Sequence, residues 1–301
     1  MIYLERCPVC SEPTDNTKKL LEQTSNMNQV SLDIQLVECI SCKHVFLNPQ
    51  PTWEDLEDHY EQGREMYDNE RDIIIEKIKK ISNPNKVREF NHIPITKGGR
   101  FLDIGCSIGN IVYAMSVLGM ESEGVEPSLT AVNKAKSLGR KVIHGNFQDI
   151  KYPDATFDAI SMFHVLEHVG DPLMLLRECH RVLKAGGTVS IGVPNLDSLV
   201  FLFFGWEWNG MKLPAHFQHF RISTLTHLSS LAGFSIVKIF TESLPPSIEG
   251  ELAFWLRKHF FIPRRLSLKT RILFPLAAYI SSIGNKTGRG EAIVALLRKD
   301  K

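Results

Sequence analysis

The stretch Arg100-Phe101-Leu102-Asp103-Ile104-Gly105-Cys106-Ser107-Ile108-Gly109-Asn110 decides the fold. Phe101, Leu102 and Ile104 form a short apolar run that reads as a buried strand. Gly105 and Gly109 then let the backbone turn tightly and approach a ligand, because neither carries a Cβ. After the turn Ile111, Val112, Ala114, Met115, Val117 and Leu118 recur at helical spacing. A helix starting behind a glycine turn presents unpaired N–H groups to an anionic ligand group. Glu126, closing the next apolar run, is placed to accept hydrogen bonds from ribose hydroxyls. Such strand–turn–helix units serve NAD, FAD and other adenosine ligands, so the downstream chain has to decide among them.

Working outward, strands are expected near 100–104, 122–126, 141–144, 158–163, 188–193, 235–241 and 291–298. Helices alternate with them near 109–119, 128–138, 171–184 and 223–232, and Gly186-Gly187 reads as the stop of the third. This alternation is the mark of a doubly wound α/β sheet. Ligands of such sheets sit at the carboxyl ends of the strands. That rule gathers Gly105, Glu126, Asn146, His164 and Pro194-Asn195 around one mouth.

Ahead of the sheet, Cys7-Pro8-Val9-Cys10 and Cys39-Ile40-Ser41-Cys42 are two Cys-x-x-Cys knuckles. They read as one structural, tetrahedral zinc site, since four thiolates leave no open position for catalysis. The alternation over 30–37 suits a hairpin between them. His44 reads as a surface or packing residue. Residues 1–48 carry four Lys/Arg against six Asp/Glu, a balance that argues against nucleic acid as partner. Pro49 and Pro51 mark a linker; Thr52 and Asp55 stand at capping-box spacing for a helix to about Glu61. Further helices are expected over 65–81 and 86–93. The expected division is therefore a zinc module at 1–48, a helical linker or cap at 49–99, and a main domain at 100–301.

The chain from Phe101 to Phe240 resembles the class I S-adenosylmethionine-dependent methyltransferases. The matching pieces are Leu102-Asp103-Ile104-Gly105-Cys106-Ser107-Ile108-Gly109, Gly124-Val125-Glu126-Pro127-Ser128, Gly145-Asn146-Phe147-Gln148-Asp149-Ile150, Phe157-Asp158-Ala159-Ile160, Val165-Leu166-Glu167-His168 and Arg181-Val182-Leu183-Lys184-Ala185-Gly186-Gly187. The resemblance implies a seven-stranded Rossmann-like sheet whose last strand is antiparallel. It implies S-adenosylmethionine as cofactor, with Gly105 and Gly109 lining its methionine half and Asp103 orienting its amino group. Glu126 would hold the ribose, and Asn146 and Phe147 the adenine. Asn146 stands where the family often has Asp, and Ser107 where glycine is commoner. The sulfonium makes the methyl carbon electrophilic, so the protein mainly holds nucleophile, carbon and sulfur in line.

A hydroxyl or thiol acceptor would be helped by a base with a pKa near neutrality. The candidates are His164, directly after the fourth strand, and His216 or His219 in Pro214-Ala215-His216-Phe217-Gln218-His219-Phe220-Arg221, whose aromatic setting suits a lid with a polar tip. His168 reads as structural, Glu167 as solvated, and Cys106 and Cys179 as core. Met162-Phe163-His164-Val165 replaces the Asn/Asp-Pro-Pro-aromatic turn that grips planar amines, which argues against methylation of a base amine.

The net charge of +1 is uneven. From residue 251 there are 11 Lys/Arg against 3 Asp/Glu, and no acid interrupts 257–271. Trp255, Leu256, Phe260, Phe261 and Ile262 are interleaved with those bases, as in an interfacial helix or an anion pocket. The stretch 244–290, where the family needs only a hairpin, is thus expected to be a helical insertion, with peripheral membrane contact through 255–283. No apolar run reaches the roughly 18 residues of a membrane span, and no signal-peptide core follows Met1, so the expected location is cytoplasmic. The expected activity is methylation, at oxygen, of a small-molecule, sugar or lipid-linked acceptor. Two other readings remain at this point: an RNA-modifying methyltransferase that uses the zinc module for RNA, and a non-catalytic adenosine-ligand scaffold.

Overall fold

Strand β4 (Arg100–Ile104) is an interior strand of the main sheet, with Phe101, Leu102, Asp103 and Ile104 all buried. The computed structural model describes residues 1–27, 30–52, 55–56, 92–260 and 273–300. The expected helices over 65–81 and nearly all of 86–93, the continuation of the helix begun at Thr52, and the basic run 261–271 lie outside the described residues. The capping box itself is present: Thr52 N donates to Asp55 Oδ2 (2.8 Å) and Asp55 N to Thr52 Oγ1 (3.3 Å).

Around β4 the main sheet is built from β5 (Glu121–Glu126), β6 (Val142–His144), β7 (Phe157–Phe163), β8 (Leu183–Pro194), β10 (Phe234–Glu242) and β11 (Ala292–Lys299). Among the described residues these form a seven-stranded sheet in the order β10-β11-β8-β7-β4-β5-β6. β4–β8 pair in parallel, and β11 runs antiparallel between β8 and β10. The expected doubly wound sheet with an antiparallel last strand is thus the observed one. Helices α1 (Asn110–Val117), α2 (Leu129–Ser137), α3 (Pro172–Val182) and α5 (Ile222–Leu231) alternate with the strands; α4 (Leu199–Phe204) follows β8. Chain order reverses between β5 and β7 on either side of β4, which opens the crevice beyond Gly105.

One expectation is corrected at Gly186-Gly187. Helix α3 already ends at Val182, and both glycines lie inside β8. Leu183 pairs with Phe157 and Thr188 with Ala159, so β8 carries extra residues that bulge out of the ladder. Gly186 takes φ +76°, and a Cβ on Gly187 would sit 2.9 Å from Lys184 O. The glycines serve the bulge, not the helix stop.

The N-terminal residues form a second sheet from β1 (Thr17–Met27), β2 (Val30–Cys39) and β3 (Val45–Leu47), completed by β9 (Gln218–His219) from the far end of the sequence. β1 and β2 are the expected hairpin. Cys7, Val9, Val37, Cys39 and Phe46 belong to the same hydrophobic cluster as Leu102, Ile160, Val189, Ile191 and Val193 of the main sheet. Leu32, Ile34, Leu36 and Leu47 share a second cluster with α4, α6 (Pro245–Phe260) and α7 (Leu273–Thr287). Each fully buried large apolar side chain contributes roughly 1.5–3 kcal/mol, so the knuckles are packed into the molecule. Among the described residues, α6 and α7 lie between β10 and β11. Among the described residues no helix is long and apolar enough to cross a membrane.

Candidate active site and metal centre

The carboxyl ends of β4, β5, β6, β7 and β8 bring Gly105, Glu126, Gly145-Asn146, His164 and Asn195 to one edge of the sheet. The turn after β4 alternates through the left-handed region at Gly105 (φ +66°), Ser107 (φ +50°) and Gly109 (φ +75°). A Cβ on Gly105 would lie 2.4 Å from Val165 Cγ2, so that position admits no side chain. Gly109 is the N-cap of α1 and has no side chain to offer, which leaves the first N–H groups of α1 without a side-chain cap. Arg140, buried behind the turn, clamps it by donating to Ile108 O (2.5 Å) and Asn110 Oδ1 (2.8 Å).

Glu126 is buried, and two main-chain donors fix its carboxylate: Ser107 N to Oε2 and Ser128 N to Oε1, both 2.9 Å. It ties the glycine turn to the start of α2, where Ser128 Oγ accepts from Ala131 N (3.3 Å). Asp103 pairs across the ladder with Ser161, whose Oγ donates to Asp103 Oδ1 (2.5 Å). Burial, opposed by that hydrogen bond and reinforced by Glu126, pushes Asp103 up to about 7. A cation beside it would return it to the carboxylate form. Asn146 is exposed and donates through Nδ2 to Asp149 Oδ2 (3.2 Å). The Phe147 ring is buried, its centroid 6.1 Å from that of Tyr152.

Beyond β7 the chain turns at His164 in the left-handed region (φ +57°). Its imidazole stands in the cleft with 64 % of the side chain open to solvent, and Nδ1 lies 3.0 Å from Glu167 Oε1. The hydrogen bond to Glu167 raises the His164 pKa, against the opposing effect of its surroundings. Glu167 is not solvated as expected: it has no exposed surface. A charged residue in a short turn reads as surface, and only the fold brings Phe217 against it. Its main-chain O accepts from Phe217 N (2.7 Å). His168 is held through Nδ1 at Ala215 O (2.9 Å).

The stretch around His216 and His219 is not a free lid. Gln218 and His219 pair as β9 with Phe46 and Val45 of β3. Both imidazoles are buried. His216 Nδ1 is 2.9 Å from Gly210 O, and burial drives its pKa far down. Burial, with His44 adding to it, pulls His219 down to about 3. His44 itself is buried, its Nε2 2.9 Å from Gln218 Oε1. The loop therefore fastens the mouth to the N-terminal sheet. The signal missed was β9: two residues carry no periodicity.

Cys7, Cys10, Cys39 and Cys42 converge, with Sγ–Sγ separations of 3.6 Å for Cys7–Cys42 and for Cys10–Cys39. Four sulfurs about 2.3 Å from one ion stand roughly 3.8 Å apart, so the cluster is able to hold a tetrahedral metal. Each knuckle closes the same way: Ser11 N donates to Cys7 O and Lys43 N to Cys39 O, both 2.9 Å, with Ser11 and Lys43 in the left-handed region. Cys106 and Cys179 are buried and free, as expected of core thiols.

Comparison with known proteins agrees with this geometry. A family described as "Methyltransferase domain" matches residues 71–239. A ubiquinone biosynthesis O-methyltransferase of Xanthomonas campestris pv. campestris is 32% identical over 133 residues, 41% of this chain and 56% of the relative. One from Albidiferax ferrireducens is 28% identical over 142 residues, 44% of this chain and 56% of the relative. The chain thus spans little more than half the length of the curated relatives it matches. Among solved structures, an S-adenosylmethionine-dependent methyltransferase of Thermotoga maritima is similar over 83% of this chain and 100% of its own, with 20% identity and a TM-score of 0.51. A phosphoethanolamine N-methyltransferase of Haemonchus contortus, solved with S-adenosylhomocysteine, covers 90% of this chain and 64% of its own, with 17% identity and a TM-score of 0.52.

Proposed function

The chain belongs to the methyltransferase-domain family, and from that premise we propose that it transfers the methyl group of S-adenosylmethionine to a hydroxyl oxygen of a small or lipid-linked acceptor. The observation that carries the proposal is Glu126, a buried carboxylate whose two oxygens are set by Ser107 N and Ser128 N beside the glycine turn. In this reading Gly105 and Gly109 admit the methionine end, Asp103 answers its ammonium, Glu126 takes the ribose, and Asn146 and Phe147 border the adenine. The hydroxyl acceptor is supported by the matched relatives, which are named as O-methyltransferases.

His164 is the base in this reading. It takes the acceptor O–H proton on Nε2 as the oxygen lone pair forms the new bond to the methyl carbon. S-adenosylmethionine would supply the methyl group and keep the bonding electrons on its sulfur, and Glu167 would balance the imidazolium. His216 and His219, both buried, hold their loop beside the mouth. The four cysteines hold a structural zinc ion, within a division of 1–48, 49–99 and 100–301 with an insertion at 244–290. Peripheral contact of 255–283 with a lipid surface is supported by Leu202, Phe203, Phe254, Phe260 and Tyr279, each more than half exposed on α4, α6 and α7.

Titration calorimetry with S-adenosylmethionine tests the cofactor. Binding by the intact protein, weakened about tenfold or more in Glu126→Gln, is expected. No heat with S-adenosylmethionine, alongside uptake of NADH, refutes the reading.

A further inference from the structure

The cleft between the first cysteine knuckle and α3 is used by none of the groups at the mouth: Glu126, Asn146 and His164 are not among the described residues that line it. It encloses about 940 Å³, within the roughly 300–1,000 Å³ of small-molecule sites. Leu4, Arg6 and Pro8 form its wall on the N-terminal side, and Lys151, Tyr152 and α3 form the other. Leu173, Met174 and Arg177 recur at helical spacing, so they stand on one face of α3 and turn it toward the knuckle. Met174 offers uncovered apolar surface there, with 54 % of the residue exposed.

The charge of the cleft is one-sided. Arg6, Lys151, Arg177 and Arg181 line it, against Asp171 and Glu178. Arg181 is already taken: Nε and Nη2 donate to Glu178 (2.9 and 2.5 Å), and Nη1 reaches Asp154. Asp171 Oδ1 accepts from Met174 N (2.8 Å) as the N-cap of α3. That leaves Arg6, Lys151 and Arg177 without an ion pair among the described residues. The Arg6 guanidinium is steadied by Nη1, which donates to Ser11 O (3.0 Å), and most of its five N–H donors remain for a ligand. Hydrogen bonds from Arg181 hold the Glu178 carboxyl below its usual range, and the Lys151 ammonium adds to the effect, which sets Lys151 beside α3. Three cations from three separate segments repel one another across one cleft, and a bound anion relieves that repulsion. A generally basic surface does not account for them, because through residue 250 the chain has 24 Lys/Arg against 31 Asp/Glu.

We propose that this cleft is a second binding site, for a small phosphate ester. The phosphate sits among Arg6, Lys151 and Arg177, and the apolar body of the ester lies on Pro8, Leu173 and Met174. Guanidinium groups match phosphate oxygens two at a time. The cleft has two more basic than acidic side chains, which a phosphate dianion balances and a single carboxylate does not. The ligand touches the cysteine module and the main domain at once. The site goes beyond the methyl-transfer reading and does not depend on it.

The test is titration calorimetry of the full-length protein with phenyl phosphate, inorganic phosphate and phenol at low salt. Phenyl phosphate is expected to bind at one equivalent and more tightly than inorganic phosphate, while phenol gives no heat; added sodium chloride weakens the binding. Lys151→Glu and Arg177→Glu, both at exposed positions, are each expected to weaken it about tenfold or more. Lys18→Glu, an exposed charge reversal on β1, is expected to leave it unchanged, which sets aside net charge as the cause. Sedimentation with phosphatidate-containing vesicles distinguishes the source of the ester. Retention that is lost in Arg177→Glu assigns it to a lipid headgroup; retention that is nil or unchanged, beside phenyl phosphate binding, assigns it to a soluble molecule. No heat with phenyl phosphate, together with vesicle retention that is nil or unchanged in Arg177→Glu, overturns the proposal. Binding of phenyl phosphate by Lys151→Glu and Arg177→Glu equal to wild type, with circular dichroism reporting the fold, overturns it as well.

Discussion

Asp103 is buried near the end of β4, its carboxyl pushed up to about 7 by that burial. Its ordinary value is about 3.9, so the folded chain holds a proton that the unfolded chain has released. Its contribution to folding is present at low pH and is lost as pH rises through about 7. A ligand ammonium needs the carboxylate, so binding expels that proton. S-adenosylmethionine affinity is expected to fall by up to roughly tenfold per pH unit below pH 7, read by calorimetry; in Asp103→Asn that slope should vanish. His164 follows a different rule. Its pKa is raised by Glu167, and only the neutral imidazole accepts a proton. The acid limb of kcat/KM is therefore expected above the ordinary histidine value of about 6.5, and Glu167→Gln should move it down. At this scale Glu126, Asp103 and His164 were legible in the sequence, since each lies at the end of a strand or directly after one. The burial of Glu167 was not, because Phe217, whose N–H meets its main-chain oxygen, lies far along the chain.

Strands and helices of the main sheet were legible because their apolar runs are long enough to show a period: β5, β7, β10 and β11 fall within a residue or two of expectation. The turn between β4 and α1 depends on backbone angles more than on side chains. Gly109 holds φ +75°, and an added Cβ would meet Val142 Cγ2 at 3.1 Å and Arg140 Cδ at 3.2 Å. Gly109→Ala is expected to cost about 1–2 kcal/mol from the left-handed backbone alone, seen as a lower midpoint in urea unfolding. Ser107 tolerates φ +50° in the same turn, and its N–H on Glu126 is the compensating contact. Gly186-Gly187 shows where local signals mislead, since a glycine pair after a helical pattern marks a helix stop and a strand bulge equally well.

The two sheets meet through β9, and this is where sequence reading stopped short. A two-residue strand contributed from 218–219 to a sheet built at 17–47 leaves no local trace. It couples the cysteine cluster to the mouth: Phe46 and Val45 pair with Gln218 and His219, and Phe217 N reaches Glu167 O. Removing metal from the cysteines is therefore expected to raise amide exchange at 216–219 as well as at 7–11 and 39–43, measured by hydrogen–deuterium exchange before and after chelation. Unchanged exchange at 216–219 would separate the two regions. The pairing of β3 with β9 also bears on anyone wishing to trim the protein. Cutting at residue 48 looks harmless on paper, yet it would strip the covering from Phe217 and Phe220 and leave the 218–219 ribbon with nothing to zip against. Such a shortened enzyme is expected to come out of cells as insoluble material, and supplying residues 1–48 as a separate peptide should bring part of it back into solution.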